Sequence, residues 1–369
     1  MEGPLRPPTG TSMTTAIFDG HNDTLTQIRN APAEEGRSFL ERSDRGHIDL
    51  PRAREGGLAG GFFAVFAHNP SWERTVLPMK GPDGKDVPGG RTVPFPPRLN
   101  RRTALDYTLS CVSDLLRWEE DAGGAMKVVR TTGELRRCLA DGTFAAILHV
   151  EGVEALDKSL QTLDVLVAAG LRSLGPVWSR PNAFGHGVPF DFPRSPDTGP
   201  GLTAAGKRLV GRCNQLGVMV DLSHLNEKGF WDVARLSQAP LVATHSGAWA
   251  LCPSPRNLTD AQLDAIQASA GVVGINFHKG FLRADGDADQ PTSVVEIARH
   301  ARYVADRIGV EHVALGSDFD GAKMPDDLPD CAALPRLVDA LRDAGFGASD
   351  LERIGTGNWV RVLDDTWSA

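Results

Sequence analysis

The sequence predicts an α/β fold in the form of a (β/α)8 barrel of the TIM type. Two observations support this prediction. Eight short apolar runs alternate with segments of helical periodicity, and residue types that bind metals stand at the ends of several runs. The length of 369 residues fits one such barrel or two ordinary domains.

The eight apolar runs have the character of buried parallel strands. They are brief, rich in β-branched residues and free of polar alternation, as expected for strands that are covered on both faces. They lie near residues 15–18, 61–66, 144–150, 172–177, 218–222, 240–244, 272–277 and 312–316.

The segments between these runs place apolar residues at spacings of three and four. Segments 104–118, 202–216 and 293–308 are predicted helices, and the stripe of the first includes Leu109 and Leu115. A doubly wound open sheet is the runner-up. That fold usually has a glycine-rich phosphate turn after its first strand, which this chain does not show.

The domain organisation is predicted to be simple. We expect a flexible N-terminal arm over residues 1–14 and a single barrel domain over residues 15–369. Segment 69–98 interrupts the strand–helix rhythm with many Pro and Gly residues. It is predicted to be an irregular insertion loop, either a functional overhang of the barrel mouth or a solvated segment without a role.

The composition disfavours several classes of protein. The formal net charge of −8 argues against nucleic acid or an anionic membrane as a partner. No segment has the apolar length of a membrane-spanning helix. The five Cys residues are scattered without a CxxC pair, which indicates reduced thiols in a cytoplasmic protein rather than a zinc ribbon or a disulfide framework.

The first run ends in the pair His21 and Asp23. Residues two apart on an extended segment point the same way, so both side chains can reach one metal ion. An isolated pair of this kind more often has a capping or core role. Its position at the end of the first barrel strand favours a ligand role instead.

Three more candidate ligands end later runs. Glu151 ends the third run and is the best available bridging anion, because no Lys stands at the end of the fourth strand, where many binuclear barrel hydrolases use a carboxylated Lys. His224 and His245 end the fifth and sixth runs and favour a second metal site, for which zinc is suited. Asp221 points away from His224 and is expected to support the site from behind.

Asp318 ends the eighth run, where a carboxylate can take a proton from an activated water and pass it to a leaving amine. Asp320 competes for this role, although a loop role is more expected. Arg256 follows His245 and can hold a substrate carboxylate with two hydrogen bonds. The residues alone, however, indicate a surface Arg at that position.

The other histidines and motifs add less. His186 lies between two Gly residues and can contact a substrate from a loop, whereas His149 is expected in the barrel core. The chain has no G-x-S-x-G, P-loop or H-E-x-x-H motif. Three histidines and several carboxylates at one barrel mouth therefore predict two divalent metals and a hydrolytic reaction.

The chain resembles the membrane (renal) dipeptidase family of zinc peptidases, as a soluble member of the bacterial type, and its motifs follow one another in the family's order. Each match is short, but the set is specific and spans nearly the whole chain. The matching segments are residues 19–23, 150–152, 221–224, 245–246, 255–257, 316–321 and 357–362.

The resemblance implies a distorted barrel that holds two zinc ions, bridged by Glu151 and a hydroxide. By matched position, His21 and Asp23 would bind one zinc, and His224 and His245 would bind the other. The family commonly accepts D-residues at the C-terminal position of the dipeptide. Many members form dimers, so a homodimer is also an expectation.

The resemblance further implies that Asp318 shuttles the proton and that Arg256 binds the C-terminal carboxylate of the dipeptide. One departure is Trp178, which stands where the family often has a His that polarises the scissile carbonyl. An indole N–H donates one hydrogen bond but cannot carry the charge of an imidazolium. His186, Asn182 or Arg180 is a candidate to replace that function, and we predict that Trp178 and His186 contact the substrate.

The sequence therefore predicts a two-zinc dipeptidase that acts on dipeptides with a free C-terminal carboxylate. The departure at Trp178 and the insertion leave a second hypothesis open: a related metal-dependent amidase, lactonase or metabolite-tailoring hydrolase. A catalytically silent barrel is the third hypothesis. It predicts loss of ligands, yet every expected ligand is present.

Overall fold

Strands and helices alternate along the chain in the computed structural model, which describes residues 15–69 and 75–367. The predicted N-terminal arm, residues 1–14, lies outside the described residues. The same is true of residues 70–74 of the predicted insertion.

All eight predicted runs form strands. The short strand β5, which pairs with β6, was not predicted. The strands are β1 (Ile17–Asn22), β2 (Leu58–Phe66), β3 (Leu77–Lys80), β4 (Asp86–Thr92), β5 (Met126–Val128), β6 (Phe144–Glu151), β7 (Leu171–Gly175), β8 (Met219–Val220), β9 (Val242–Ser246), β10 (Val272–Ile275) and β11 (Val313–Leu315).

The eight predicted strands are arranged in two parallel sheets. The first sheet has the order β1-β2-β6-β7-β8, with β5 beside β6, and the second has the order β9-β10-β11. Every strand pair in these two sheets is parallel. The predicted α/β class with parallel strands is confirmed, although the regular hydrogen-bond ladder is interrupted at two places, here called the seams.

Each seam is crossed by an isolated parallel bridge, and the two bridges are Asp221–Val242 and Asn22–Phe319. A buried carboxylate also spans each seam. Asp221 Oδ1 accepts a hydrogen bond from the Thr244 N–H at 2.9 Å, and Asp19 Oδ1 accepts one from the Ser317 N–H at 2.6 Å. Buried N–H groups require acceptors, so these carboxylates hold the two sheets together where strand pairing is sparse.

Helices cover the sheets, and several of them begin after a side chain that accepts a hydrogen bond from the first turn. The helix bounds are α1 (Thr24–Asn30), α2 (Leu50–Gly56), α3 (Arg101–Asp121), α4 (Thr132–Asp141), α5 (Gln161–Ala169), α6 (Ala204–Leu216), α7 (Glu227–Leu236), α8 (Asp260–Ala268), α9 (Lys279–Leu282), α10 (Val295–Ile308), α11 (Leu334–Asp343), α12 (Ala348–Glu352) and α13 (Asn358–Trp367). In the described part of the chain, no helix combines the length and apolar character needed to cross a membrane.

Two helices show how the predictions compare with the structure. The Thr203 hydroxyl caps α6 at its start, and Gly217, with φ 61°, ends the helix. In α3 the predicted stripe was partly wrong, because Leu109 is 45% exposed. The buried face of α3 passes through Leu115, as predicted, and through Thr108, which lies seven residues before it and therefore on the same side of the helix.

Trp359 of α13 packs between the two sheets and is fully buried. Its ring lies 5.1 Å from that of Phe62 in β2, and its Nε1 donates a hydrogen bond to Leu315 O in β11 at 3.2 Å. Gly20 makes room for the indole, since a Cβ at that position would lie 2.4 Å from Trp359 Cζ2. One aromatic side chain thus fills the space between strands of different sheets.

The insertion is more regular than predicted. Residues 75–98 contain an antiparallel hairpin of β3 and β4, so the prediction of an irregular loop was wrong for this part. Arg91 of β4 also exchanges backbone hydrogen bonds with Phe192, at 2.9 and 2.8 Å. This tertiary pairing orders a segment whose Pro and Gly content suggested a loop.

Candidate metal centre and active site

The five predicted ligands come together at the ends of their strands. Glu151 Oε1 lies at the centre of the cluster, 3.0 Å from His224 Nε2, 3.4 Å from His245 Nε2 and 3.7 Å from His21 Nε2. Asp23 Oδ2 lies 3.7 Å from His21 Nε2. One carboxylate therefore lies between a pair formed by His21 and Asp23 and a pair formed by His224 and His245.

Hydroxyl groups fix the rings of two of these histidines. Ser179 Oγ lies 2.7 Å from His224 Nδ1, and Thr244 Oγ1 lies 2.8 Å from His245 Nδ1. With Nδ1 engaged in this way, each Nε2 faces the cluster. Sequence reasoning missed Ser179 and Thr244, because a hydroxyl residue near a strand end is too common to indicate such a role.

The backbone is unusual at two candidate site residues. His224 has φ 66° and Asp318 has φ 61°, in the left-handed region that residues other than Gly seldom adopt. Such conformations persist when surrounding contacts enforce them, and they concentrate at functional sites. Here they turn each side chain from the end of its strand toward the cluster.

The carboxylates of the cluster are buried close to one another. Burial raises the pKa of Glu151 well above its usual range. Burial, followed by the charge of Asp23, raises the pKa of Asp318 to about 6. Both shifts show that the negative charges lack full compensation from the protein, and a bound cation would provide it.

The histidines divide into two electrostatic types. Burial by itself would lower the pKa of His21. The negative charges of Glu151 and Asp23 outweigh the effect of burial and raise this pKa to about 10. For His224 and His245, burial and neighbouring positive charge lower the pKa well below its usual range. Those two rings are therefore neutral, the form in which histidine binds metals.

Unsatisfied polar atoms indicate that the cluster fits a metal. Both ring nitrogens of His21 are buried and have no hydrogen-bond partner among the residues that the structure describes. Buried polar atoms without partners are rare in proteins. The donor set of imidazole nitrogen and carboxylate oxygen suits zinc and related divalent ions. The residues present therefore fit the metal centre that the sequence predicts.

Asp318 lies within the cluster, beside His21 and His245. Asn276 donates a hydrogen bond from Nδ2 to Asp318 Oδ2 at 3.0 Å and thereby fixes the carboxylate. Sequence reasoning missed Asn276. Its signal was available, because Asn276 is the polar residue that directly follows strand β10, as the candidate ligands follow theirs.

Asp320 has a different environment from Asp318. Its carboxylate accepts hydrogen bonds from Thr24 Oγ1 at 2.7 Å, from Arg37 Nη2 at 3.0 Å and from the His47 N–H at 2.6 Å. These bonds engage both oxygens and anchor the loop that contains Asp318. Asp320 therefore has the contacts of a loop-holding residue.

Arg256 is buried, so the interpretation from the residues alone, as a surface Arg, was wrong. Its Nη2 donates a hydrogen bond to His245 O at 3.1 Å, and its guanidinium lies 5.4 Å from the ring centre of Phe281, which lines the cavity. Burial lowers the pKa of Arg256, while the charges of Asp318 and Glu151 oppose that shift. The guanidinium therefore lies beside a residue that lines the cavity, with its charge only partly balanced, although Arg256 is not among the described residues that line the cavity themselves.

A cavity of about 520 Å³ opens above the cluster. Trp178 lies on its wall, with ring centres 4.5 Å from Phe66, 5.4 Å from Phe190 and 5.9 Å from His224. Sequence reasoning missed Phe66, since an aromatic residue at a strand end more often belongs to the core, and Phe190, which lies in the long segment between β7 and α6. The remaining described lining residues include polar groups from the loops after β1, β10 and β11.

The structure does not bring His186 into this cavity. Its ring Nδ1 lies 3.2 Å from Gly201 O, and His186 is absent from the described residues that line the cavity. The backbone explains the position. Val188 donates a hydrogen bond to His224 O at 2.9 Å, so this loop passes behind His224.

Comparison with known proteins agrees with this site. The sequence profile of the family "Membrane dipeptidase (Peptidase family M19)" matches residues 11–368. A crystal structure of a metallo peptidase from Rhodobacter sphaeroides, liganded with a phosphinate mimic of the dipeptide L-Ala-D-Ala, is similar with a TM-score of 0.89 and 47% identity, covering 96% of this chain and 100% of that one.

Two curated relatives match this chain over two thirds of its length or more. Dipeptidase aclJ of Aspergillus oryzae is 34% identical over 356 residues, which is 95% of this chain and 78% of the relative. An uncharacterized protein in the pqqA 5' region of Klebsiella pneumoniae is 49% identical over 246 residues, which is 67% of this chain and 91% of the relative. The chain therefore belongs to the membrane dipeptidase family, peptidase family M19. It is a metallo-dipeptidase, an enzyme that hydrolyses a peptide bond and depends on a metal ion.

Proposed function

We propose that the enzyme is a two-zinc dipeptidase that cleaves dipeptides with a free C-terminal carboxylate. The observation that supports this most directly is the position of Glu151. Its Oε1 lies within 3.7 Å of imidazole nitrogens from three different histidines, one of which pairs with Asp23.

In this proposal His21 and Asp23 would hold one zinc, His224 and His245 would hold the other, and Glu151 would contribute to both sites. The neutral rings of His224 and His245 and the buried carboxylates suit this assignment. When bound, the ions would supply Lewis-acid activation of a water molecule and of the scissile carbonyl.

Asp318 is the proposed proton carrier. It accepts the proton that the attacking water loses and delivers it to the nitrogen of the leaving amine. Asn276 holds one oxygen of Asp318, 3.0 Å from its amide nitrogen, so the other oxygen is available to the reacting atoms.

Arg256 is the proposed clamp for the C-terminal carboxylate. Its guanidinium is buried beside Phe281, a residue that lines the cavity, and a buried ion pair is screened less than one at the surface. Two parallel N–H···O hydrogen bonds would fix the dipeptide with its scissile bond over the cluster. A clamp of this kind favours dipeptides with a free carboxylate over amidated ones.

We also propose that D-residues are tolerated at the C-terminal position. The similar Rhodobacter sphaeroides enzyme is described with a mimic of L-Ala-D-Ala, which supports this expectation by likeness. The two parallel sheets are further proposed to be one single-domain (β/α)8 barrel, with the seams at Asp19 and Asp221 as its irregular joints. A homodimer stays a prediction, which sedimentation analysis can test.

The Arg256→Ala variant tests the proposal. We expect kcat/KM for L-Ala-L-Ala and L-Ala-D-Ala to fall by about 100-fold, because a charge-assisted double hydrogen bond is lost. The amidated dipeptide L-Ala-L-Ala-NH2 should be a poor substrate of both proteins and should respond to the change by less than about threefold. Equal losses on free and amidated substrates, with metal content preserved, would contradict the clamp.

A further inference from the structure

We propose that Phe66, Trp178 and Phe190, here called the aromatic wall, form a pocket that selects a large apolar side chain at the N-terminal position of the dipeptide. This inference rests on the proposed function. It assigns a substrate class to the side of the cavity where this chain has Trp178.

The aromatic wall is a continuous surface. The ring centres of Phe66 and Trp178 lie 4.5 Å apart with planes tilted by 38°, and those of Trp178 and Phe190 lie 5.4 Å apart with planes tilted by 50°. All three side chains line the 520 Å³ cavity. Trp178 and Phe190 also lie within 5.9 and 6.2 Å of the ring of His224, so the wall borders the candidate metal centre.

Buried charge supports the wall from behind. The Arg180 guanidinium lies 5.5 Å from the ring centre of Phe66 and 5.7 Å from that of Trp178. Arg180 donates hydrogen bonds to Glu154 Oε1 at 2.7 Å and to Ala67 O at 2.6 Å. Because Arg180 is itself almost fully buried, the rings are held in place before a substrate binds.

The topology assigns the wall to the N-terminal residue. Arg256 follows β9 and Phe281 lies in α9 after β10, so the carboxylate clamp belongs to the second sheet. Phe66 ends β2 and Trp178 follows β7, so the wall belongs to the first sheet. A dipeptide held by its carboxylate at the second sheet, with its scissile bond over the cluster, places its N-terminal residue toward the first sheet.

Asp318 agrees with this orientation. It follows β11 of the second sheet, on the same side as Arg256, and the leaving amine belongs to the C-terminal residue. The proton carrier and the carboxylate clamp therefore share the side of the cavity that the leaving group occupies. The aromatic wall is left for the acyl portion, the N-terminal residue.

Two dipeptides of identical composition provide the test. The wild type should hydrolyse L-Phe-L-Ala with a kcat/KM about 10-fold above that for L-Ala-L-Phe. Only the first dipeptide buries its aromatic side chain against the aromatic wall. Trp178→Ala and Trp178→His should lose most of this preference, chiefly through L-Phe-L-Ala. The matched variant Trp178→Phe, which keeps an apolar ring, should retain it.

The readouts separate this inference from the function on which it rests. A wild type that turns over dipeptides without preference for L-Phe-L-Ala would overturn the aromatic wall as a selector and leave the dipeptidase intact. Equal losses on both dipeptides in Trp178→Ala, with metal content unchanged, would show that Trp178 has a structural role only. A wild type that binds metal but cleaves no dipeptide would overturn both proposals.

Discussion

Single side chains decide what the cavity can do, and Glu151 illustrates why. One buried oxygen of this residue lies next to nitrogens of His21, His224 and His245. A buried carboxylate beside the neutral imidazoles of His224 and His245 disfavours an empty cluster and favours one that holds cations. The residue types, their burial and their separation therefore all support the same assignment.

The Asp318→Asn variant tests the proton carrier. An amide cannot accept and release the proton, so kcat should fall by about 100-fold or more. Steady-state kinetics on L-Ala-L-Ala, together with metal analysis, would measure this. The matched control is Asp306→Asn, an exposed carboxylate on α10 that should leave kcat unchanged. A kcat of Asp318→Asn within threefold of wild type would remove Asp318 from the proposed mechanism.

At this scale the sequence predicted the candidate ligands better than their supports. His21, Glu151 and His245 stand at the ends of apolar runs, a position that barrel topology makes informative. Ser179 and Thr244, which hold histidine rings, have no distinctive pattern in the chain. Their role depends on which strands become neighbours, and a single sequence does not contain that information directly.

At the strand ends and the seams, close packing depends on particular glycines. The chain at Gly316 passes so near β9 that a Cβ would lie 1.9 Å from Thr244 O. That oxygen belongs to a strand backbone and cannot move without disturbing His245 beside it. The glycine therefore connects the packing of the second sheet with the position of a candidate ligand.

The Gly316→Ala variant should lower the free energy of unfolding by about 3 kcal/mol, because the added methyl group overlaps backbone. Thermal unfolding followed by circular dichroism would measure the shift in Tm. The matched control is Gly211→Ala in α6, where a Cβ meets nothing within 4 Å. This control should be neutral or stabilising by about 0.5 kcal/mol, as alanine favours helix. Equal Tm values for both variants would contradict the packing argument.

The elements also show why some sequence predictions failed. The alternation of apolar runs and helical stripes predicted the eight main strands, since the run length and spacing are local properties. The hairpin of β3 and β4 was missed because its order depends on pairing between Arg91 and Phe192, about a hundred positions apart. The seams were not predictable either, because Asp19 and Asp221 act across strands that the sequence does not pair.

For the whole molecule, His300 makes stability depend on pH. It is fully buried, accepts a hydrogen bond from the Ala248 N–H and bonds Leu282 O, so it joins α10 to the loop after β9 and to the end of α9. Burial lowers its pKa to about 4. The unfolded chain binds a proton below about 6.5 whereas the folded chain does so only below about 4, and stability is therefore lost as pH falls through that window.

The His300→Gln variant isolates this contribution. At pH 7 it should be less stable than wild type, because a buried hydrogen-bond pair is disturbed. The difference in the free energy of unfolding between wild type and variant should narrow by up to about 3 kcal/mol between pH 6.5 and pH 4, since only the wild type must keep this imidazole neutral. Chemical unfolding of both proteins at several pH values would measure this difference. A difference that stays constant or widens toward low pH would contradict the assignment.

We propose that this molecule is a metal-dependent dipeptidase with two ions at one cluster. Metal content and turnover, measured on the same preparation, test this proposal. Purified enzyme would be assayed on L-Ala-L-Ala and L-Ala-D-Ala as isolated, after chelation, and after zinc is restored. We expect about two zinc ions per chain, and we expect turnover to disappear on chelation and to return with zinc. Turnover that persists in metal-free enzyme, or a fully folded protein that binds no metal at all, would contradict this proposal.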